Sequence, residues 1–312
     1  MAKYAYLVAG DYKYIPELTG LLNSLDYVGN TFDVHLVGIH LTEEFKSQLD
    51  KLNYKVILHE ISEEEIQDAR GISEITCRKR YWYAAEFGKD YDAVCILDAD
   101  IIFARNPIQF FDIAAKTGFI LGPTKEQNKV YGLDDDHHLV DGEWIWKSPK
   151  GFYNDKDMCN APLFLDTKIW YEALRFSFYV FHSHGFKAPD MDAMNLSFLH
   201  YDSYDKTVRL PGLQWLGTNE QMLKPYVRVV ERRETLYTEC GLEIYTYHGH
   251  YYHEKWRNCQ LDNRHHCAEG YLKATECSDN MAQGAMNLLY SNFLKMLRWK
   301  IIIEEKSYRE TK

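Results

Sequence analysis

Ala93-Val94-Cys95-Ile96-Leu97-Asp98-Ala99-Asp100-Ile101-Ile102-Phe103 decides how this chain is read. Five apolar residues in a row, Ala93–Leu97, are short for a helix and suit a strand covered on both faces, as in a parallel sheet. Two carboxylates then follow at i and i+2. Alternate residues of an extended segment point the same way, so Asp98 and Asp100 can converge on one cation. Parallel α/β sheets take their ligands at that end of the strands. Hard divalent ions such as Mg²⁺ or Mn²⁺ take one or two carboxylates together with ligand phosphates. Two solvated acids in a turn are the plain alternative, because a bare Asp-x-Asp is common.

The residues upstream alternate between strand and helix patterns. Tyr4–Ala9 is an apolar run ended by Gly10-Asp11, and Pro16 opens a helical pattern through Leu18, Leu21, Leu22 and Leu25. Val34–Ile39 reads as a strand, and Thr42-Glu43-Glu44 starts a helix carrying Phe45, Leu49 and Leu52. Lys55–Leu58 is a third strand and Ile75–Phe87 a further helix. Repeated βαβ units predict an α/β fold with a mostly parallel central sheet flanked by helices. Downstream the pattern loosens. Helices are expected over Ile108–Ala115, Ile169–Phe181 and Met191–Leu199, and an amphipathic one from Met281 to Ile302. Strands are expected over Phe119–Leu121, Ala161–Leu165, Thr207–Leu210, Val227–Val230 and Glu243–His248. The long polar stretch Lys125–Asp157 reads as a functional lid or an insert.

The chain has 312 residues and a net charge of −10, which disfavours nucleic acid as a partner. Its 24 tyrosines suit ligands that stack, such as sugars and bases. No apolar run reaches the roughly 18 residues a membrane span needs, and the first ten residues turn polar too soon for a signal peptide. Seven scattered cysteines, an odd number, fit a reducing, cytoplasmic setting. Cys259, His265, His266, Cys267 and Cys277 lack the spacing of a standard zinc finger and read as a surface loop. The terminal helix pattern fits packing on the core or on a second copy of the chain.

Taken together, these motifs resemble the nucleotide-sugar-dependent glycosyltransferases of the GT-A fold, in particular the glycogenin-like retaining family, over roughly residues 4–256. The resemblance implies a GT-A domain over 1–256 and a C-terminal helical extension over 257–312. Asp98-Ala99-Asp100 matches the family's Asp-x-Asp motif, which binds Mn²⁺ (or Mg²⁺) and the donor diphosphate. Val8-Ala9-Gly10-Asp11-Tyr12 resembles the turn that grips uracil and ribose, so Ala9, Asp11 and Tyr12 are donor-site candidates, with Tyr14 a second stacking option. One of Arg78, Lys79 and Arg80 is expected to face the donor. Spacing to Trp82 favours Arg78, and the choice stays open. Asn160, in Cys159-Asn160-Ala161-Pro162, resembles the family's sugar-pocket asparagine, although Pro162 stands where the family has Gly. Asp190-Met191-Asp192-Ala193-Met194-Asn195 resembles the family's Asp-Gln-Gly-Leu-Leu-Asn, with Met191 in place of Gln. In Tyr247–Trp256, His248 matches the third metal ligand, with His250 in reserve, and Lys255 the residue that stabilises the leaving diphosphate.

The resemblance thus implies metal-dependent transfer of a hexose from UDP-glucose or UDP-galactose, with retention, to a glycan, protein or other hydroxyl acceptor. Asp190, Asn160 and Lys255 would carry the chemistry. Two other classes fit less of the chain. A catalytically silent sugar-nucleotide binder would explain Met191 and Pro162. A phosphohydrolase with an aspartate nucleophile would carry its Asp-x-Asp on the first strand rather than after three.

Overall fold

The computed structural model describes residues 2–69, 71–123, 139–140, 143–144, 161–184, 194, 197–198, 201, 206–210, 215–216, 229–232, 235–238, 241–248 and 292–303. Strand β1 (Tyr4–Asp11) leads into helix α1 (Ile15–Tyr27), β2 (Asp33–Ile39), a four-residue α2 (Glu43–Lys46), β3 (Val56–Glu60) and α3 (Glu63–Asp68). Then come α4 (Arg80–Gly88), β4 (Ala93–Leu97), β5 (Ile101–Phe103), α5 (Ile108–Thr117) and β6 (Ile120–Pro123). The short hairpin of β7 (Leu139–Val140) and β8 (Glu143–Trp144) is what is described within the long polar stretch. Strand β9 (Leu163–Leu165), α6 (Tyr171–His184), β10 (Thr207–Leu210), β11 (Trp215–Leu216), β12 (Val229–Arg232), β13 (Thr235–Thr238) and β14 (Thr246–His248) follow.

Seven strands form the central sheet in the order β10-β6-β9-β4-β1-β2-β3. The pairs β1–β2, β2–β3, β1–β4 and β10–β6 are parallel, whereas β9 runs antiparallel to both neighbours. The period-2 alternation of β1 and β4 sorts their side chains onto two faces. Tyr4, Tyr6, Val8, Ala93, Cys95 and Leu97 join the leucines of α1 and Phe111 of α5 on one face. Ala5, Leu7, Ala9, Val94 and Ile96 join Tyr81, Ala84 and Ala85 of α4 and Leu174 of α6 on the other. The result is a helix–sheet–helix sandwich with β1 and β4 at its centre.

Several expected elements differ in extent. Strand β1 runs on through Gly10 to Asp11. The helix begun at Thr42 stops after Lys46, and a 3₁₀ turn at Leu49–Lys51 delivers Leu49 to the core. The segment expected as one helix over Ile75–Phe87 is a π-helical turn, Glu74–Lys79, running into α4. The terminal helix is described over 292–296 and then turns, so Ile302 lies outside it.

That early end has a specific cause. Buried Asn23 of α1 donates to the carbonyls of Met296 (2.7 Å) and Ile301 (2.8 Å) and accepts from the amides of Lys300 (3.3 Å) and Ile301 (2.9 Å). Gln48 brackets Ile302 in the same way. Gly20 leaves room for the Phe293 ring, which would lie 2.6 Å from an added Cβ. Asn23→Ala is expected to cost about 2–4 kcal/mol, since four backbone groups lose their partner at once. Urea denaturation checks this, with limited proteolysis expected to open 292–303 first.

A second buried polar network spans β2, β3 and the loop before β4. His35 Nδ1 lies 2.9 Å from His59 Nε2, His35 Nε2 lies 3.0 Å from the Tyr91 hydroxyl, and Tyr91 donates to Asp33 (2.7 Å). With the Tyr91 proton on Asp33, the consistent arrangement has His35 donating from Nε2 and accepting from His59 at Nδ1. Burial, with His59 next, pushes the His35 imidazole down to about 4. A folded-state value below the unfolded one means that the neutral ring stabilises the fold above the unfolded pKa. That contribution is lost as pH falls from about 6.5 through 4. The expected loss is up to about 3 kcal/mol, and a His35→Gln variant melted across this range should show a flatter profile.

Candidate functional site

The carboxyl ends of β1, β2 and β4 converge, and the acids lie there. Asp11, the last residue of β1, is 6% exposed and caps the Tyr12–Tyr14 turn by accepting from the Lys13 amide at 2.8 Å. Its carboxyl is raised by burial and lowered again by the Lys13 amide and ammonium. Tyr12 is half-buried beside His40, the residue after β2, at 6.5 Å between ring centroids. His40 adopts φ 52°, a left-handed conformation that turns the chain away from the strand end.

Asp98 and Asp100 sit at the end of β4, with the buried Ala99 between them. The candidate basic residues sort themselves clearly. Arg78 pairs with Glu74 one turn away, and Lys79 pairs with Glu65 at 2.8 Å. Arg80, 4% exposed, ion-pairs with Asp98 and lays its guanidinium 5.1 Å over the Tyr81 ring. Among the described residues, Arg80 is the one of these three seen paired with a strand-end acid. The π turn preceding α4 shifts the helical register, a device frequent at functional sites.

A fourth acid, Glu17, was not singled out in the sequence. An acid in the first turn of a helix ordinarily faces the macrodipole and solvent, which hides it from pattern reading. Here Glu17 is 5% exposed, and its Oε2 has no hydrogen-bond partner. Burial raises its carboxyl to about 8, and the charges of Asp100 and Asp11 add to that rise. Tyr14 registers the same negative field. Its hydroxyl is pushed up to about 12 by burial, then by Asp100, Glu17 and Asp11.

A second sheet, β11-β14-β5, brings the late part of the chain to this point. In its antiparallel register His248 is paired with Ile101, the residue after Asp100. Directly opposed residues of such a ladder have Cα atoms about 4.5–5.5 Å apart, so the His248 backbone lies beside the strand-end acids. Asn160, Asp190, His250 and Lys255 lie outside the described residues. Asp98 and Asp100 offer the hard oxygen donors that Mg²⁺ or Mn²⁺ prefers, and the Glu17 Oε2 is a buried polar atom without a hydrogen-bond partner among the described residues. Among the described residues, no three His, Cys, Asp or Glu side chains are grouped to hold a metal by themselves. Further ligands must come from phosphate, from water or from outside those residues.

No protein-family model matches the chain, and no curated protein matches its sequence. Solved structures do. A galactosyltransferase, LgtC, in complex with donor and acceptor sugar analogs, superposes with a TM-score of 0.56 at 14% identity, over 97% of this chain and 98% of that one. An active-site variant of LgtC gives 0.53 at 13% identity, over 89% and 96%. The bifunctional glycosyltransferase WbbM, in its apo form, gives 0.50 at 15% identity, over 69% of this chain and 40% of that one. At these identities the likeness is one of fold. With its seven-stranded, mostly parallel sheet and a strand-end acid pair beside a small second sheet, the chain is a GT-A fold protein, built on the architecture of these glycosyltransferases.

Proposed function

We propose that the protein is a metal-dependent glycosyltransferase that moves a hexose from a UDP-sugar, UDP-glucose or UDP-galactose, to a hydroxyl acceptor with retention. The observation that carries this reading is the Asp98–Ala99–Asp100 turn at the carboxyl end of β4, with Ala99 and Asp100 buried and Arg80 on Asp98, in a GT-A fold. When bound, Mn²⁺ or Mg²⁺ would stabilise the charge that develops on the departing diphosphate.

The chain's own residues set the stage for that charge. Asp98 and Asp100 are the candidate cation ligands, and Arg80 donates one guanidinium N–H to Asp98 and another to the Tyr81 hydroxyl, which favours one orientation of the Asp98 carboxylate. Asp11 accepts from the Lys13 amide, and the Tyr14 amide also acts on it, which holds the turn after β1 where a donor hydroxyl would lie. Tyr12 and Tyr14 offer rings to the base, while Ala9 and Ala99 leave backbone room for it. His248 as a third ligand, Lys255 at the leaving group, and Asp190 and Asn160 at the sugar complete the proposed site. The division of the chain into a GT-A domain over 1–256 and an extension over 257–312 belongs to the same reading. Among the described residues no helix is long and apolar enough to cross a membrane.

The test is a panel of UDP-sugars with luminescent detection of released UDP, run with EDTA and with added Mn²⁺. Release from a UDP-hexose that EDTA stops and Mn²⁺ restores is the expected result. Donor binding by calorimetry without turnover on a broad acceptor panel would make the protein a silent binder instead. Phosphate release from simple phosphomonoesters would make it a hydrolase.

A further inference from the structure

Glu17 is a buried acid near the carboxyl ends of β1 and β4 that no part of the proposed chemistry uses. It projects from the first turn of α1, is 5% exposed, and leaves Oε2 without a hydrogen-bond partner. A buried carboxyl oxygen left unsatisfied costs free energy on the scale of a lost hydrogen bond or more. Nothing in the packing of α1 calls for an acid there, because Leu18, Leu21, Leu22 and Leu25 already supply its apolar contacts. The electrostatic surroundings add to the cost. Asp100 and Asp11 both act on Glu17, and the basic groups at the site act elsewhere: Arg80 on Asp98, Lys13 and His40 on Asp11. The strand-end pair Asp98 and Asp100 is thus backed by an additional, buried acceptor with spare capacity. Among the described residues no three acids are grouped as direct ligands, so Glu17 is assigned as an outer partner and not a ligand. Mg²⁺ and Mn²⁺ retain several water molecules when a protein offers them only one or two carboxylates, and those waters need acceptors.

We propose that Glu17 is an outer-layer carboxylate of the cation site, accepting a hydrogen bond from a water on the divalent ion held by Asp98 and Asp100. The inference rests on the cation reading above and deepens it. Glu17 is a positioning residue: it orients the ion's water, and the ion's charge in turn favours the ionised form of its carboxyl, so the protein gains affinity for the divalent ion before any nucleotide arrives. Outer-layer partners of metal sites typically contribute 10–100-fold in metal affinity.

The experiment titrates Mn²⁺ into the full chain without nucleotide, reading free Mn²⁺ by electron paramagnetic resonance. It compares wild type, Glu17→Leu, Glu17→Gln and Asp100→Asn, and each metal-free protein is also melted. Glu17→Leu is expected to weaken Mn²⁺ binding about tenfold or more. Glu17→Gln, which keeps an acceptor oxygen but cannot ionise when the cation binds, should fall between Glu17→Leu and wild type. Metal-free Glu17→Leu should melt no lower than wild type, because the orphaned carboxyl is gone. A purely structural role would give the reverse pattern, a lower melting temperature with unchanged Mn²⁺ affinity, and would overturn the proposal. Should Glu17→Leu fail to fold, wild-type affinity in Glu17→Gln overturns it instead. Asp100→Asn separates the two levels of the argument. If it binds Mn²⁺ as wild type does, the cation reading itself falls. If it loses binding while the Glu17 variants keep theirs, only the Glu17 assignment falls.

Discussion

Replacing Asp100 with Asn is expected to lower UDP-hexose turnover by about 10³-fold or more while leaving the protein folded. The size follows from where the residue sits. At 5% exposure, with Asp11 and Glu17 acting alongside it, Asp100 lies where water cannot readily take over a lost carboxylate oxygen. Charge stabilisation withheld from a transition state in such a setting costs several kcal/mol, far more than the same loss at a wet surface. Asn is nearly isosteric with Asp, so the metal-free protein should still melt in a single cooperative transition. Luminescent UDP detection at saturating donor, paired with thermal melts, measures both halves. Turnover within tenfold of wild type would remove Asp100 from the mechanism.

Arg80→Ala should act on both stability and donor use. Its guanidinium is 4% exposed, and its removal strips the Asp98 carboxylate of its counter-charge. Breaking a buried pair by deleting one partner costs about 3–5 kcal/mol when both ions are fully buried. Asp98 keeps 19% side-chain exposure, so about 2–3 kcal/mol is the expected loss in urea denaturation. Donor KM should rise as well, because an untethered Asp98 must be ordered during binding. Arg80→Lys should recover the charge but little of the orientation, since an ammonium has no planar fork for a carboxylate. Unchanged denaturation and KM in Arg80→Ala would show the pair to be incidental.

How much of this was legible in the sequence depends on the range of the physics involved. Strands β1, β2 and β4 announce themselves because sheet burial imprints a local pattern, and Ala93–Leu97 carries it without interruption. The strand-end acids come with it, since their place follows from the end of the apolar run. Strand direction is not locally encoded: Leu163–Leu165 reads equally well either way, and it lies antiparallel within an otherwise parallel set. Arg80 was obscured because a π turn changes the helical count, so spacing rules based on 3.6 residues per turn point to Arg78. Glu17 was hidden by a position where acids are ordinary. The end of the last helix was the least legible feature, because side chains more than 250 residues earlier, Asn23 and Gln48, capture its backbone.

That last attachment bears on how the molecule is made. Helix α1 and strand β5 leave a ribosome well before Ile301 and His248, which must arrive before either is fully covered. Contacts so far apart along the chain slow folding and leave early intermediates with exposed apolar surface. The proposed site therefore cannot be finished when residues 1–100 have been made, even though they supply most of its described acids. Its maturation waits on translation of the closing segment, and a stalled nascent chain would hold a half-built pocket.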